Sequence, residues 1–174
     1  MCTAFSSWQK INNKVRDPIV VEGERRRAVR HVEFCVELYK ELLKNGRYFL
    51  HEHPAHATSW QEESIRTLLN DPDVVTATCD QCRYGCIARN GDPMKKPTTF
   101  MTNAPMLAKE LGLRCGGKNG RCGRPEGGVH ALCRGMDARL AAIYDFKLCR
   151  AILVGFRNQL RSDGTYTDGF VGLM

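Results

Sequence analysis

The residues with the most chemical potential near the start of this chain are Cys2 and Glu52. Cys2 lies in the run Met1-Cys2-Thr3-Ala4-Phe5-Ser6, and Glu52 ends the short apolar stretch Arg47-Tyr48-Phe49-Leu50-His51-Glu52. A thiol becomes a nucleophile when a neighbouring base or a lowered pKa leaves it as the thiolate. Thr3 and Ser6 fit a tight loop around Cys2, but no adjacent residue activates the sulfur, so an incidental cysteine is the plain alternative. A carboxylate at the C-terminal end of a strand stands where α/β sheets place their ligands. Pro54 cannot extend a hydrogen-bond ladder, so Glu52 is predicted at the rim of a sheet, where it would serve as a proton donor. Alternation along the strand puts His51 and His53 on one face and Glu52 on the other. With His56 nearby, metal binding by these histidines stays open.

A second group of candidate ligands follows later in the chain. Cys79-x-x-Cys82-x-x-x-Cys86 precedes Cys115-x6-Cys122 and His130-x-x-Cys133. Thiolates and an imidazole in two clusters are the donor set of structural zinc. The stretch from Arg114 to Gly128 is glycine-rich and poor in apolar side chains, so it needs a brace other than a hydrophobic core. Cys82, Cys115, Cys122 and His130 are the predicted ligands; the alternative is a set of buried, reduced cysteines. Cys35 and Cys149 fall on apolar faces of predicted helices and read as core. Nine cysteines in a chain without an export signal argue against a disulfide framework.

Basic residues form a third pattern. Lys118 and Arg121 stand inside the glycine-rich run, and Lys95-Lys96 precede it. Flexible backbone carrying Lys and Arg suits sequence-tolerant contact with phosphates, although a solvated surface gives the same pattern. With 174 residues and a net charge of +7, the anionic partner to expect first is nucleic acid, DNA in particular. No stretch reaches the roughly 18 consecutive apolar residues of a membrane span, and Met1 to Lys14 is too polar for a signal peptide. An intracellular protein, cytoplasmic or nuclear, with no membrane partner is therefore expected.

The elements that must position these residues follow from periodicity. Pro18 is read as keeping its surroundings extended, and Glu22 to Lys44 as a helix with Ala28, Val32, Cys35, Val36, Tyr39, Leu42 and Leu43 at three- and four-residue steps. Asn45-Gly46 stops it. Ser59 with Glu62 reads as a capping box opening a helix to Asn70, and the β-branched run Val74 to Thr78 as a buried strand. Cys82 to Ile87, a turn at Asn90-Gly91-Asp92-Pro93, and a return over Thr98 to Met101 read as a hairpin. Helices are expected over Pro105 to Leu111 and, as one long amphipathic element, over Asp137 to Leu160. That order predicts one α/β domain over 1–174, with a Cys/Gly-rich insert at about 112–135, a loose tail at 165–174 and an antiparallel hairpin at the sheet edge.

The ordered motifs resemble those of the DNA (cytosine-5) methyltransferases, particularly their divergent phage-like branch. Cys2-Thr3-Ala4-Phe5-Ser6 is similar to that family's Pro-Cys-x-x-Phe-Ser nucleophile loop, and Glu52-His53-Pro54 to its Glu-Asn-Val or Glu-Asn-Pro strand end. Cys82-Arg83-Tyr84-Gly85, Lys96-Pro97-Thr98 and Met101-Thr102-Asn103 look like that branch's Tyr-Gly, Lys-Pro-Thr and Trp-Thr-Asn segments. Related regions also occur in transposable-element polyproteins. The resemblance covers about residues 2–155. It implies a partial class I methyltransferase-like, Rossmann-like sheet with a C-terminal antiparallel hairpin. It also implies Cys2 adding to C6 of a flipped cytosine, Glu52 supporting protonation at N3, Arg83 as a cationic contact and S-adenosylmethionine as cofactor. Met1 stands where the family has proline, His53 where it has asparagine, and the glycine-rich cofactor segment has no counterpart. The chain is therefore expected to be an N-terminally truncated methyltransferase-like fragment, inactive alone. The competing expectation is a non-enzymatic, zinc-stabilised nucleic-acid-binding module of a mobile element.

Overall fold

In the computed structural model of this chain the described residues are 2–7 and 9–166, without the side chains of Cys2, Thr3 and Lys10. Most of the predicted tail at 165–174 therefore lies outside the described residues. The chain divides into two compact units, Met1–Thr76 with Thr98–Asn103, and Ala77–Pro97 with Ala104–Met174.

The first unit begins with a 3-10 turn over Cys2–Phe5, the short helix α1 (Gln9–Asn12) and a second 3-10 turn over Asn13–Val15. Helix α2 then runs over Pro18–Lys44. It starts at Pro18, four residues before the Glu22 expected from periodicity. Proline's fixed φ and missing N–H suit a first helical turn, and the Asp17 side chain caps it by accepting from the Ile19 N–H at 2.8 Å. The helix closes as expected: Gly46 adopts φ 64, and the Arg47 N–H reaches back to the Leu42 carbonyl at 2.8 Å. Ala28, Val32 and Val36 form the buried stripe of α2, in one core with Phe5, Phe49, Ile65, Leu68 and Met101.

Strands β1 (Leu50–Pro54), β2 (Val75–Asp80) and β3 (Pro97–Thr102) form a three-stranded sheet in the order β1-β3-β2. β1 and β3 pair antiparallel, with Glu52 opposite Phe100. The architecture is thus mixed α/β with a small sheet, and this pairing is not that of parallel strands in a Rossmann-like sheet. Glu52 occupies the middle of β1 instead of its end, because pairing with Thr98 carries the strand through Pro54. The predicted alternation does hold: His51 and His53 are buried, and Glu52 between them is half-buried. The chain before the helix α3 (Glu63–Leu69) also differs from expectation, being a 3-10 turn over Thr58–Gln61. Ser59 is fully buried and its hydroxyl engages His53 Nδ1, so it cannot cap a helix, while Glu62 accepts from Arg25 Nη2 at 3.2 Å.

The second unit contains a 3-10 turn over Gln81–Tyr84 and the helices α4 (Pro105–Glu110), α5 (Gly135–Leu140) and α6 (Phe146–Ser162). The predicted hairpin shrinks to a loop over residues 86–94, held by a bridge between Ile87 and Pro93 and by the Met94 N–H on the Cys86 carbonyl at 2.9 Å; β3 pairs elsewhere. The helix expected over Asp137 to Leu160 breaks into α5 and α6. Asp145 adopts extended backbone and its side chain takes the Lys147 N–H at 2.9 Å, which starts a new helix. Leu140 and Ile143 are consequently exposed, and Leu148 is buried. Helices α4 and α6 approach closely at Gly155, where a Cβ would lie 2.8 Å from Leu107 Cα. Among the described residues no helix is long and apolar enough to cross a membrane.

Candidate metal centre

Cys82 sits in the 3-10 turn over Gln81–Tyr84, and three segments of the second unit bring the other three candidate ligands to it. The turn is closed by Gly85 at φ 95 and by the Cys86 N–H on the Gln81 carbonyl at 3.1 Å. Cys115 follows a segment tied to the end of β2, where the Asp80 N–H donates to the Leu113 carbonyl at 3.0 Å. Cys122 and His130 come from a small hairpin that the sequence reading treated as irregular. Its arms pair Arg121 with Val129, and the chain enters it through a turn at Asn119-Gly120, both at positive φ (52 and 76), the signature of a two-residue type I′ turn. The Arg121 N–H closes it on the Lys118 carbonyl at 2.9 Å, and the Cys122 and His130 N–H groups donate to Gly128 and Gly120 carbonyls at 2.8 and 2.7 Å. The Asn-Gly dipeptide is the signal in the sequence for that entry turn.

Glycine is needed where this hairpin folds onto its own start. A Cβ on Gly117 would lie 1.9 Å from the Arg121 carbonyl oxygen, and one on Gly123 would lie 2.8 Å from Gly117 N. Only hydrogen fits between these two backbones, so the glycines allow Cys115 and Cys122 to approach each other.

The ligand atoms of Cys82, Cys115, Cys122 and His130 all lie within 4.8 Å of one another. Cys115 Sγ stands 3.8 Å from Cys122 Sγ and 3.6 Å from His130 Nε2. With Zn–S of about 2.3 Å and Zn–N of about 2.0–2.1 Å, tetrahedral ligands are separated by about 3.8 Å for S···S and about 3.6 Å for S···N. A disulfide would require about 2.05 Å, and both cysteines are free thiols. The set has the composition of a closed structural site, and it can hold a metal ion such as zinc.

Electrostatics favour ligation. Burial acts to raise the Cys115 thiol, but the backbone N–H groups of Gly123 and Gly117 outweigh it with help from Cys122 and Cys82, and its net shift is downward. The Gly123 N–H lies 3.3 Å from Cys115 Sγ. Burial pushes the Cys82 thiol strongly up, and its hydrogen bonds with Cys122 and Cys115 add to that. Cys115 therefore ionises before Cys82, and a divalent cation would draw the remaining protons off. Burial and the nearby Lys95 charge lower His130, which keeps its imidazole neutral and available as a ligand.

Asp80 and Arg83 brace this centre. Asp80 is buried; its Oδ2 accepts the Cys115 N–H at 2.8 Å and the Arg114 Nε at 3.2 Å. No pattern in the sequence marks Asp80, a single carboxylate two residues before Cys82. Arg83 was expected to contact a base. Here its Nη1 donates to the Gly123 carbonyl at 2.6 Å, fastening the turn that carries Cys82 to the backbone next to Cys122.

The other sequence candidates are placed as follows. Cys2 begins the first 3-10 turn, and its side chain lies outside the described residues. Glu52 belongs to the first unit and Arg83 to the second. His51 and His53 pack within the first unit with ring centroids 4.7 Å apart and planes tilted by 46°. Lys118 and Arg121 flank the Asn-Gly turn and are exposed. Lys95 is half-buried, and Lys96 donates Nζ to the Ala141 carbonyl at 2.5 Å while lying over the Tyr144 ring. Cys86 and Cys133 pack with Met94 and Ala141 in a separate small core, where burial pushes Cys86 up to about 11.

No family model matches this chain, and neither does any curated protein or solved structure.

Proposed function

We propose that the second unit is a zinc-braced module that binds nucleic acid without catalysing a reaction on it. The observation that carries this reading is the convergence of Cys82, Cys115, Cys122 and His130 within 4.8 Å. A closed donor set of three thiolates and one imidazole leaves no position for a substrate, which is the arrangement of a structural site. The loop that the metal would fix carries Lys118 and Arg121, exposed at either side of a tight turn. Held side by side, two cations can meet successive phosphates without reading base identity. The net charge of +7 supports the association electrostatically.

The test combines metal stoichiometry with DNA binding. Purified protein should contain one equivalent of zinc by elemental analysis and shift a labelled duplex in a gel. Chelation should remove both properties, and re-addition of zinc should restore them. Zinc-free protein that binds DNA with unchanged affinity would overturn the reading. A Cys2-dependent covalent adduct with duplex DNA containing 5-fluorocytosine, formed in the presence of S-adenosylmethionine, would favour methyltransferase chemistry instead.

A further inference from the structure

A cleft of about 550 Å³ opens in the second unit directly beside the metal ligand Cys82. Arg83, Arg124 and Lys147 line it, with Gly85, Ile87 and Glu126 among the other lining residues. Arg83 is the cation that the family resemblance would place near a base; Arg124 and Lys147 carry no such expectation from the sequence. Cys82 also lines the cleft, so one of its walls belongs to the candidate metal centre.

The charges in this cleft are not neutralised from within. Arg83 bonds to the Gly123 carbonyl. Arg124 donates Nε to the Gly127 carbonyl at 2.8 Å and Nη2 to the Gly91 carbonyl at 3.5 Å. Carbonyl oxygens orient a guanidinium without cancelling its charge. Among the described residues, none of Arg83, Arg124 and Lys147 is in an ion pair with a carboxylate. Glu126 is the acidic residue among the lining. Nearby Asp145 does not line the cleft and is committed to capping α6 through the Lys147 N–H. Positive charge therefore dominates a concave site, where field lines concentrate and an anion is favoured over one on a flat surface.

The anion that fits is a phosphate. Guanidinium groups match phosphate oxygens through paired N–H donors, and Lys147 adds a mobile point charge. Ile87 and Pro125 give the same cleft an apolar wall, which a free inorganic anion does not use and a sugar or base edge does. We infer that the Arg83–Arg124–Lys147 cleft holds a backbone phosphodiester of the bound nucleic acid, next to the candidate metal centre that supplies one of its walls through Cys82. This inference rests on the nucleic-acid-binding reading and adds the place where the strand is gripped.

Lys147 is the cleanest residue to change, because it is exposed and its ammonium braces nothing in the hairpin. The experiment measures anisotropy of a fluorescein-labelled 20-base-pair DNA duplex across a range of sodium chloride, using full-length zinc-loaded protein. Lys147→Ala should weaken binding roughly three- to tenfold at 0.1 M salt and reduce the salt slope by about 0.9, the amount for one lost phosphate contact. Arg124→Ala should do the same, with zinc content measured to confirm an intact hairpin. If Lys147→Ala and Lys147→Glu both match wild type in affinity and slope while Lys118→Ala binds more weakly, the cleft is not a contact and the module reading stands. A calorimetric titration with inorganic pyrophosphate separates the sources of phosphate. Binding of pyrophosphate that depends on Lys147, with no binding of the duplex, would overturn the nucleic-acid source and leave a free-phosphate site. No binding of either probe by folded, zinc-loaded protein would sink both readings.

Discussion

Asp80 Oδ2 accepts the backbone N–H of Cys115 at 2.8 Å, and through that bond a buried carboxylate sets the position of a candidate metal ligand. The same oxygen takes Arg114 Nε at 3.2 Å, while Oδ1 is buried with no partner. Leaving a buried carboxylate oxygen unsatisfied is costly, and the position that Oδ2 gives Cys115 is what this carboxylate supplies against that cost. Partners behind the ligands commonly change metal affinity by about 10- to 100-fold when removed. Asp80→Ala is expected to weaken zinc binding by that amount. Asp80→Asn, which keeps one acceptor oxygen, should recover part of the loss. Competition against a chromophoric chelator measures both; equal affinity for Asp80→Ala and wild type would remove Asp80 from the metal centre.

The glycine pair makes a steric prediction with an internal control. Gly117→Ala drives a Cβ to 1.9 Å from the Arg121 carbonyl oxygen, whereas a Cβ on Gly116 meets nothing within 4 Å. Backbone cannot move aside as a flexible side chain can. Gly117→Ala should therefore lose zinc affinity at least tenfold while the helices α4 and α6 keep their far-ultraviolet circular dichroism. Gly116→Ala should bind zinc as wild type does. Equal behaviour of the two variants would show that the close approach of the two backbones is not needed.

The four residues that converge as candidate ligands could be named from the sequence because the physical signal is compositional. A glycine-rich stretch without apolar side chains needed a brace, and only thiols and an imidazole were at hand. The buried stripe Ala28, Val32 and Val36 was legible for a similar reason, since its spacing repeats over several turns. What failed was decided by single side chains reaching outside their own segment. Ser59 reads locally as an N-cap, but its hydroxyl is taken by His53. Asp145 sits inside an apolar periodicity yet caps a new helix. Glu52 reads as a strand end until its strand is paired with β3, which places it opposite Phe100. Which strand β1 pairs with, and how far the pairing runs, is decided by β3, remote in sequence, and not by Glu52's own segment.

Acid should destabilise the first unit through His51. Its ring is buried, with Tyr39 Oη 3.2 Å from Nδ1 and no partner at Nε2. The His53 and Trp60 rings pack against it at 4.7 and 5.4 Å between centroids. An imidazolium needs acceptors at both nitrogens, so burial lowers the pKa to about 4, and the neighbouring His53 adds to that. The unfolded chain takes up the proton near pH 6.5, well above the folded one. The stabilising contribution is complete above about pH 6.5 and is lost as pH falls toward 4, amounting to roughly 3 kcal/mol by pH 4. Chemical denaturation at several pH values should reveal this slope, and His51→Gln should flatten it. An unchanged slope in the variant would assign the acid sensitivity to other groups.

Helix α6 offers a test of packing in the second unit that is independent of metal. Leu148 is 1% exposed and Leu153, on the same helix, is 69% exposed. Truncating a buried leucine removes its transfer free energy and leaves a cavity, so Leu148→Ala should cost about 2–5 kcal/mol. Leu153→Ala should stay within about 0.5 kcal/mol of wild type. Gly155→Ala adds a methyl group 2.8 Å from Leu107 Cα, and the forced separation of α4 from α6 should cost about 1–3 kcal/mol. Urea denaturation of zinc-loaded and chelated protein separates these effects from the metal centre. If the contact between α4 and α6 is intrinsic to the fold, Gly155→Ala loses the same stability in both states. A loss confined to the zinc-loaded state would mean that the helices pack only after the metal has ordered the loop between them.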